Sequence, residues 1–254
     1  MKVTFLGTGT SQGVPVISCP CKICTSSNPR DNRLRSAILI EDEGTNIVID
    51  TGPDFRQQML RSQVKHLDAI VFTHEHKDHL AGLDDIRAFN YFNKKRVDVY
   101  AHERVQAAIK REFPYIFDGN NYPGIPEIDL YDIRAGVNIQ INNITLQPLE
   151  VMHYQLPVFG FRINNFVYIT DANFIAPHVM REIKGVDHFV INALRREKHI
   201  SHFTLDEALA VIEEVNPGHA YLTHISHQLG LHDDVAAELP KNVVPAYDGM
   251  IIEM

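Results

Sequence analysis

The stretch FTHEHKDHLAG, residues 72–82, constrains this chain more than any other. It sets His74, His76, Asp78 and His79 directly after DAIVFT (68–73), which reads as a buried strand, and at the head of LAGLDDIRAFNYF (80–92), whose apolar residues recur at helical intervals. Donors suited to a hard or borderline cation, packed this closely on a loop anchored at both ends, can converge on one point. A solvated charged loop accounts for a lone H-x-H, but poorly for a complete H-x-H-x-D-H with apolar elements on both sides.

The surroundings alternate in character. KVTFLG (2–7) reads as an opening strand followed by a glycine-rich loop, and SAILIE (36–41) and NIVIDT (46–51) flank a turn as a hairpin. RVDVYA is a further strand, and the stretch from Glu103 to about Lys110 has helical character. Pro114, Pro123, Gly124 and Pro126 then break regular structure. The second half restarts with VNIQI, ITLQPLEV, VFGFRI and FVYITD, with turns expected at Asn142-Asn143 and Asn164-Asn165. DHFVIN, a helix over 204–215, HAYLT and a last strand near MIIEM complete the pattern. Two β-rich halves with helices outside predict an α/β fold, a four-layer αββα sandwich, and no linker divides residues 1–254 into more than a single domain.

Composition narrows the function classes. With 24 basic against 32 acidic residues the net charge is -8, which argues against a nucleic-acid partner or an acidic membrane surface. No apolar run approaches the roughly 18 to 20 residues of a membrane span, and no export signal opens the chain, so a cytoplasmic location is expected. Three cysteines cannot all pair with one another; CPCKIC instead places Cys19, Cys21 and Cys24 as three thiolates of a zinc site short of one ligand. GTGTSQG (7–13) lacks the G-K-[ST] ending of a phosphate-cradling loop and reads as a tight turn feeding the cysteines.

H-x-H-x-D-H after a strand resembles the signature of the metallo-β-lactamase fold, and the resemblance extends over most of the chain. It implies a hydrolase with two neighbouring divalent ions, zinc or manganese. His74, His76 and His153 would hold one ion and Asp78, His79 and His224 the other, with Asp171 bridging; Asp50 would orient a ligand from behind. The same resemblance brings the loop after LTHIS near the N-terminal loop, making His227 the fourth ligand of a structural zinc with Cys19, Cys21 and Cys24.

LGTGTSQGVP, the cysteine run, LTHISHQ and AYDGM together resemble the phosphodiesterase branch containing the phosphoribosyl 1,2-cyclic phosphate phosphodiesterases of the carbon-phosphorus lyase pathway. That likeness implies a small, cyclic phosphodiester as substrate, attacked by a hydroxide shared between the ions. Asp78 would aim the hydroxide and His202 would protonate the leaving group, with His199 as local rival. A transfer-RNA 3′-end endonuclease, a thioester or lactam hydrolase, and a non-catalytic metal-binding factor of pyrroloquinoline quinone biosynthesis are the alternatives. REFPYIFDGNNYPG (111–124) is expected to cover the site, to form a homodimer contact, or to pack as an ordinary loop.

Overall fold

The computed structural model describes residues 1–119 and 122–254. The chain opens with β1 (Lys2–Gly7), β2 (Ala37–Asp42), β3 (Thr45–Ile49), β4 (Ala69–Val71), β5 (Val97–Ala101) and β6 (Ile128–Asp132). It continues with β7 (Ile139–Ile141), β8 (Ile144–His153), β9 (Leu156–Ile163), β10 (Phe166–Tyr168), β11 (His188–Asn192), β12 (His219–Thr223), β13 (Val243–Pro245) and β14 (Ile251–Glu253). They form two seven-stranded sheets, ordered β14-β1-β2-β3-β4-β5-β6 and β13-β12-β11-β10-β9-β8-β7. Each sheet is antiparallel where hairpins build it and parallel where helices cross over, from β3 to β6 and from β10 to β13.

Burial confirms the layering. Phe5, Ile38, Ile47 and Ile49 of the first sheet meet Phe161, Phe166, Tyr168 and Tyr221 of the second in one central core. On the far side of the first sheet, Leu39, Val48, Ile70 and Val99 pack under α1 (Phe55–Arg61) and the crossover helix α4 (Glu103–Glu112). On the far side of the second, Val167, Phe189 and Leu222 pack under α5 (Pro177–Ile183) and α6 (Leu205–Val215). Strands apolar on both faces are what such a sandwich demands. The αββα architecture expected from the sequence is the one observed.

Three local differences have physical reasons. The helix expected over 80–92 is split into α2 (Lys77–Leu80), a 3-10 turn at Leu83–Ile86 and α3 (Arg87–Asn93). Gly82 sits at the split because a Cβ there would lie 2.1 Å from the Gly52 carbonyl oxygen: the chain is pressed against the β3 loop. β6, IDLYD, has no counterpart in the sequence reading; its burial falls from Ile128 to the exposed Tyr131 and Asp132, as suits an edge strand. Finally, Tyr115 of the proline-rich 111–126 segment donates its hydroxyl to Asp84 at 2.6 Å, docking that stretch on the 3-10 turn, while residues 120 and 121 of the expected cover lie outside the described residues.

Candidate metal centre

The chemistry sits at or just beyond the C-terminal ends of five strands. Asp50 follows β3, His74 follows β4, His153 ends β8, Asp171 follows β10 and His224 follows β12. Asp50, Asp171 and His224 have φ of 68°, 56° and 51°, left-handed backbone that ordinary residues avoid. Each is turned out of its strand at the point where the side chain must leave the sheet for the cluster.

These side chains gather into two groups. His74, His76 and His153 bring ring nitrogens together, and Asp78, His79, Asp171 and His224 bring together two nitrogens and two carboxylates; within each group the donor atoms lie within 4.8 Å of one another. Asp171 Oδ2 lies 3.2 Å from His79 Nε2 and 3.1 Å from His224 Nδ1, and Asp78 Oδ2 is 3.2 Å from the same His79 nitrogen. His74 and His79 have ring centroids 4.3 Å apart, so the two groups adjoin. All seven residues expected to form a dinuclear set therefore stand together at one strand-end edge.

Neighbours fix which nitrogen each histidine presents. Asp50, fully buried, accepts the Thr73 backbone N–H at 2.9 Å, the Thr73 hydroxyl at 2.8 Å and His79 Nδ1–H at 2.6 Å. The Thr73 hydroxyl, its proton given to Asp50, accepts from His74 Nδ1–H at 2.9 Å. His153 Nδ1–H donates to the Ser201 carbonyl at 2.8 Å. Each ring so held turns its Nε2 to the centre, the arrangement that orients imidazole ligands in metal sites.

The fit to cations can be tested on atoms that no protein group satisfies. Although buried, His74 Nε2, His79 Nε2 and His224 Nδ1 have no hydrogen-bond partner, and the carboxylates near the last two lack hydrogen-bond geometry to them. Buried polar atoms are rarely left so. Electrostatics point the same way. Burial works against ionisation at His79, but Asp171, Asp78 and Asp50 overcome it and hold the ring well above its usual range. Burial likewise opposes a charged Asp171, yet His224 and His79 keep that carboxyl well below the usual carboxylate range. The pocket is thus a buried concentration of negative charge in want of positive charge, which divalent ions supply.

His202 lies closer to the centre than an acid acting from outside would need. Its Nε2 is 3.1 Å from Asp171 Oδ1, its ring stacks on His224 with centroids 5.0 Å apart, and with His153 and Asp171 it forms a third donor group. His199 is one layer out: its Nδ1 reaches His202 Nδ1 at 3.1 Å rather than the cluster. The loop bearing both ends in a capping box, Thr204 with Glu207, that starts α6.

The second predicted cluster also assembles. Cys19, Cys21 and Cys24 Sγ lie 3.4, 3.3 and 3.5 Å from His227 Nδ1, and none is in a disulfide. Zinc bonds of ~2.3 Å to sulfur and ~2.0 Å to nitrogen give a sulfur-to-nitrogen tetrahedral edge of about 3.5 Å, the spacing seen between His227 Nδ1 and the three sulfurs. His224 and His227, three positions apart, face different clusters. Tyr154, Asn173 and Ile200 beside the site carried no sequence signal beyond their neighbours, since nothing in their spacing marks them.

Two facing mixed sheets, with this donor cluster at their strand ends, define the metallo-β-lactamase fold. A model of the β-lactamase superfamily domain matches residues 45–225, and the chain belongs to that superfamily. Over its whole length it is similar to a solved diphosphatase of the PhnP family, at 36% identity and a TM-score of 0.93, covering 100% of this chain and 97% of that one. An octanoyltransferase of Porphyromonas gingivalis is 37% identical over 252 residues, 98% of this chain but 51% of its own length. Ribonuclease Z of Nostoc punctiforme is 28% identical over 167 residues, 64% of this chain and 46% of the enzyme. The chain thus spans about half the length of these curated relatives. Zn(2+)-bound PqqB of Methylobacterium extorquens, at 17% identity and a TM-score of 0.80, shares the fold. Among the described residues no helix is long and apolar enough to cross a membrane.

Proposed function

We propose that this chain is a dinuclear metal-dependent hydrolase of small phosphodiesters, cyclic ones included. The observation that carries the reading is the pair of adjoining donor groups, with three buried histidine nitrogens that no protein atom satisfies. His74, His76 and His153 would hold one divalent ion and Asp78, His79 and His224 the other, with Asp171 shared by the two groups. Zinc or manganese at these positions supplies a lowered water pKa and a positive field for the phosphoryl oxygens.

The rest belongs to the protein. Asp50 holds His79 directly and His74 through Thr73, so that both keep their donor nitrogens aimed. Asp78 accepts a hydrogen bond from the attacking hydroxide and keeps it aimed toward phosphorus. His202, whose Nε2 is 3.1 Å from Asp171 Oδ1, is the group that gives the leaving oxygen its proton. His199, hydrogen-bonded to His202 on the side away from Asp171, is the group through which that proton is restored. Cys19, Cys21, Cys24 and His227 hold a structural zinc that ties the N-terminal loop to the loop after β12.

A phosphoester substrate is favoured by the likeness, over the full chain, to the PhnP-family diphosphatase. The octanoyltransferase relative raises acyl-ester chemistry as the competitor, and the ribonuclease Z relatives raise RNA cleavage. The deciding experiment measures kcat/KM with zinc and with manganese on cyclic ribose phosphates, cyclic nucleotides, linear diesters, a diphosphate, an octanoyl thioester and a precursor transfer RNA. Small diesters should lead by at least tenfold; a lead for the thioester or the RNA would overturn the proposal. Metal analysis of the purified chain should find three ions, and two after Cys19→Ser, Cys21→Ser and Cys24→Ser are combined.

A further inference from the structure

A cleft of about 440 Å³ opens beside the donor cluster, with His76 and His153 on its inner side. It is also lined by Tyr154, Gln155, Leu156, Ile200 and Ser201, and among the described residues no Lys, Arg, Asp or Glu lines it. Tyr154 is 51% and Ile200 64% exposed, a large apolar surface turned to solvent next to a polar centre. A second phosphate would find no cation in this cleft; a flat apolar group would find two walls.

The backbone is arranged to present that surface. Tyr154 sits in the tight β8–β9 turn with φ 58°, in the left-handed region where a ring-bearing side chain is disfavoured. Asn173, two residues after Asp171, holds both walls. Its Oδ1 accepts the Tyr154 backbone N–H at 2.7 Å and its Nδ2 donates to the Ile200 carbonyl at 3.0 Å. One amide therefore joins two loops distant in sequence and fixes the separation of Tyr154 and Ile200 next to the bridging carboxylate.

Resting on the phosphoester reading above, we infer that Tyr154, Leu156 and Ile200 form a platform for a neutral aromatic substituent of the substrate, an aryl group or a base. Asn173 is the positioning residue that sets its width. The substrate class is then a monoanionic ester with one planar organic group beside the phosphoryl centre, rather than a compound with a further phosphate at that place. Stacking and burial select the ring; the cluster engages the phosphoryl oxygens whatever the substituent.

Direct calorimetry of phenylphosphonate and methylphosphonate binding to the zinc-loaded protein tests this without turnover. Removing roughly 55 Å² of ring surface from water corresponds to about tenfold in affinity, so phenylphosphonate should bind about tenfold more tightly. In the Tyr154→Ser, Ile200→Ser double variant the preference should shrink to within about twofold, and in Asn173→Ala it should fall, while Tyr154→Phe retains it. Equal binding of the two probes by the parent protein, or a preference that survives the double variant, would overturn the platform alone. If neither phosphonate binds the zinc-loaded protein while it cleaves a thioester, the phosphoester reading falls and takes the platform with it.

Discussion

At the scale of single residues, the candidate site depends on groups that orient the donor side chains as much as on the donors themselves. Asp50 gathers three hydrogen bonds in a fully buried position, and two of them govern His79 and His74 through short, shared contacts. Asp50→Asn keeps the shape but offers an amide N–H where an acceptor is needed. Metal affinity, measured by competition with a chelator, is expected to fall about 10- to 100-fold, the usual cost of losing such a partner. At His202 the expected signature is chemical. His202→Ala should slow esters with poor alkoxide leaving groups by roughly 100-fold or more but activated aryl esters only slightly, because a good leaving group departs unprotonated. Equal loss on both classes, read as kcat/KM, would remove the acid role.

At the scale of elements, the loops rather than the strands bear the tight tolerances. The β3 loop and α2 meet backbone to backbone: Thr51 N–H donates to the His79 carbonyl at 2.7 Å, and Gly82 N–H donates to the Thr51 carbonyl at 2.8 Å. A Cβ on Gly52 would lie 2.0 Å from the Asp78 carbonyl oxygen, so the glycine is required by close approach and not by its own φ. Gly52→Ala must push α2 outward and with it Asp78 and His79. It should cost about 1–3 kcal/mol in denaturant unfolding and lower activity by more than that loss of folded protein explains. Activity tracking the folded fraction alone would show that the site tolerates the displacement.

At the scale of the whole molecule, a buried Arg33 ties the N-terminal loops to the C-terminal ones. It donates to Thr8 Oγ1 at 2.9 Å and lies 3.3 Å from His232 Nδ1, while the His232 backbone N–H donates to Asp31 Oδ1 at 2.7 Å. Burial, then Arg33 and Arg30, push His232 down to about 4. The unfolded chain, near 6.5, therefore takes up this proton first as the solution is acidified. The neutral ring's contribution is complete above about pH 6.5 and is lost as pH falls toward 4, by roughly 1–2 kcal/mol once solvent screening of the half-buried ring is allowed for. Unfolding free energies at pH 7.5 and 4.5 should differ less in His232→Gln than in the parent by about that amount; equal differences would place the pH dependence elsewhere.

How much was legible in the sequence follows from which interactions are local. His74, His76, Asp78 and His79 stand within one turn after one strand, so their spacing alone announces a shared centre, and the apolar alternation on either side announces the layers. Cys19, Cys21 and Cys24 are equally local, and a missing fourth ligand can be counted. His153, Asp171 and His224 were found through family likeness, because each alone is one polar residue at a strand end. Tertiary structure alone decided that His202 presses on Asp171, that Gly52 and Gly82 are pinned by a neighbouring loop, and that Asn173 joins Tyr154 to Ile200. Such contacts form between segments 19 to 31 positions apart, brought together by sheet register and loop packing, and a linear pattern holds no record of which side chains will meet across that gap.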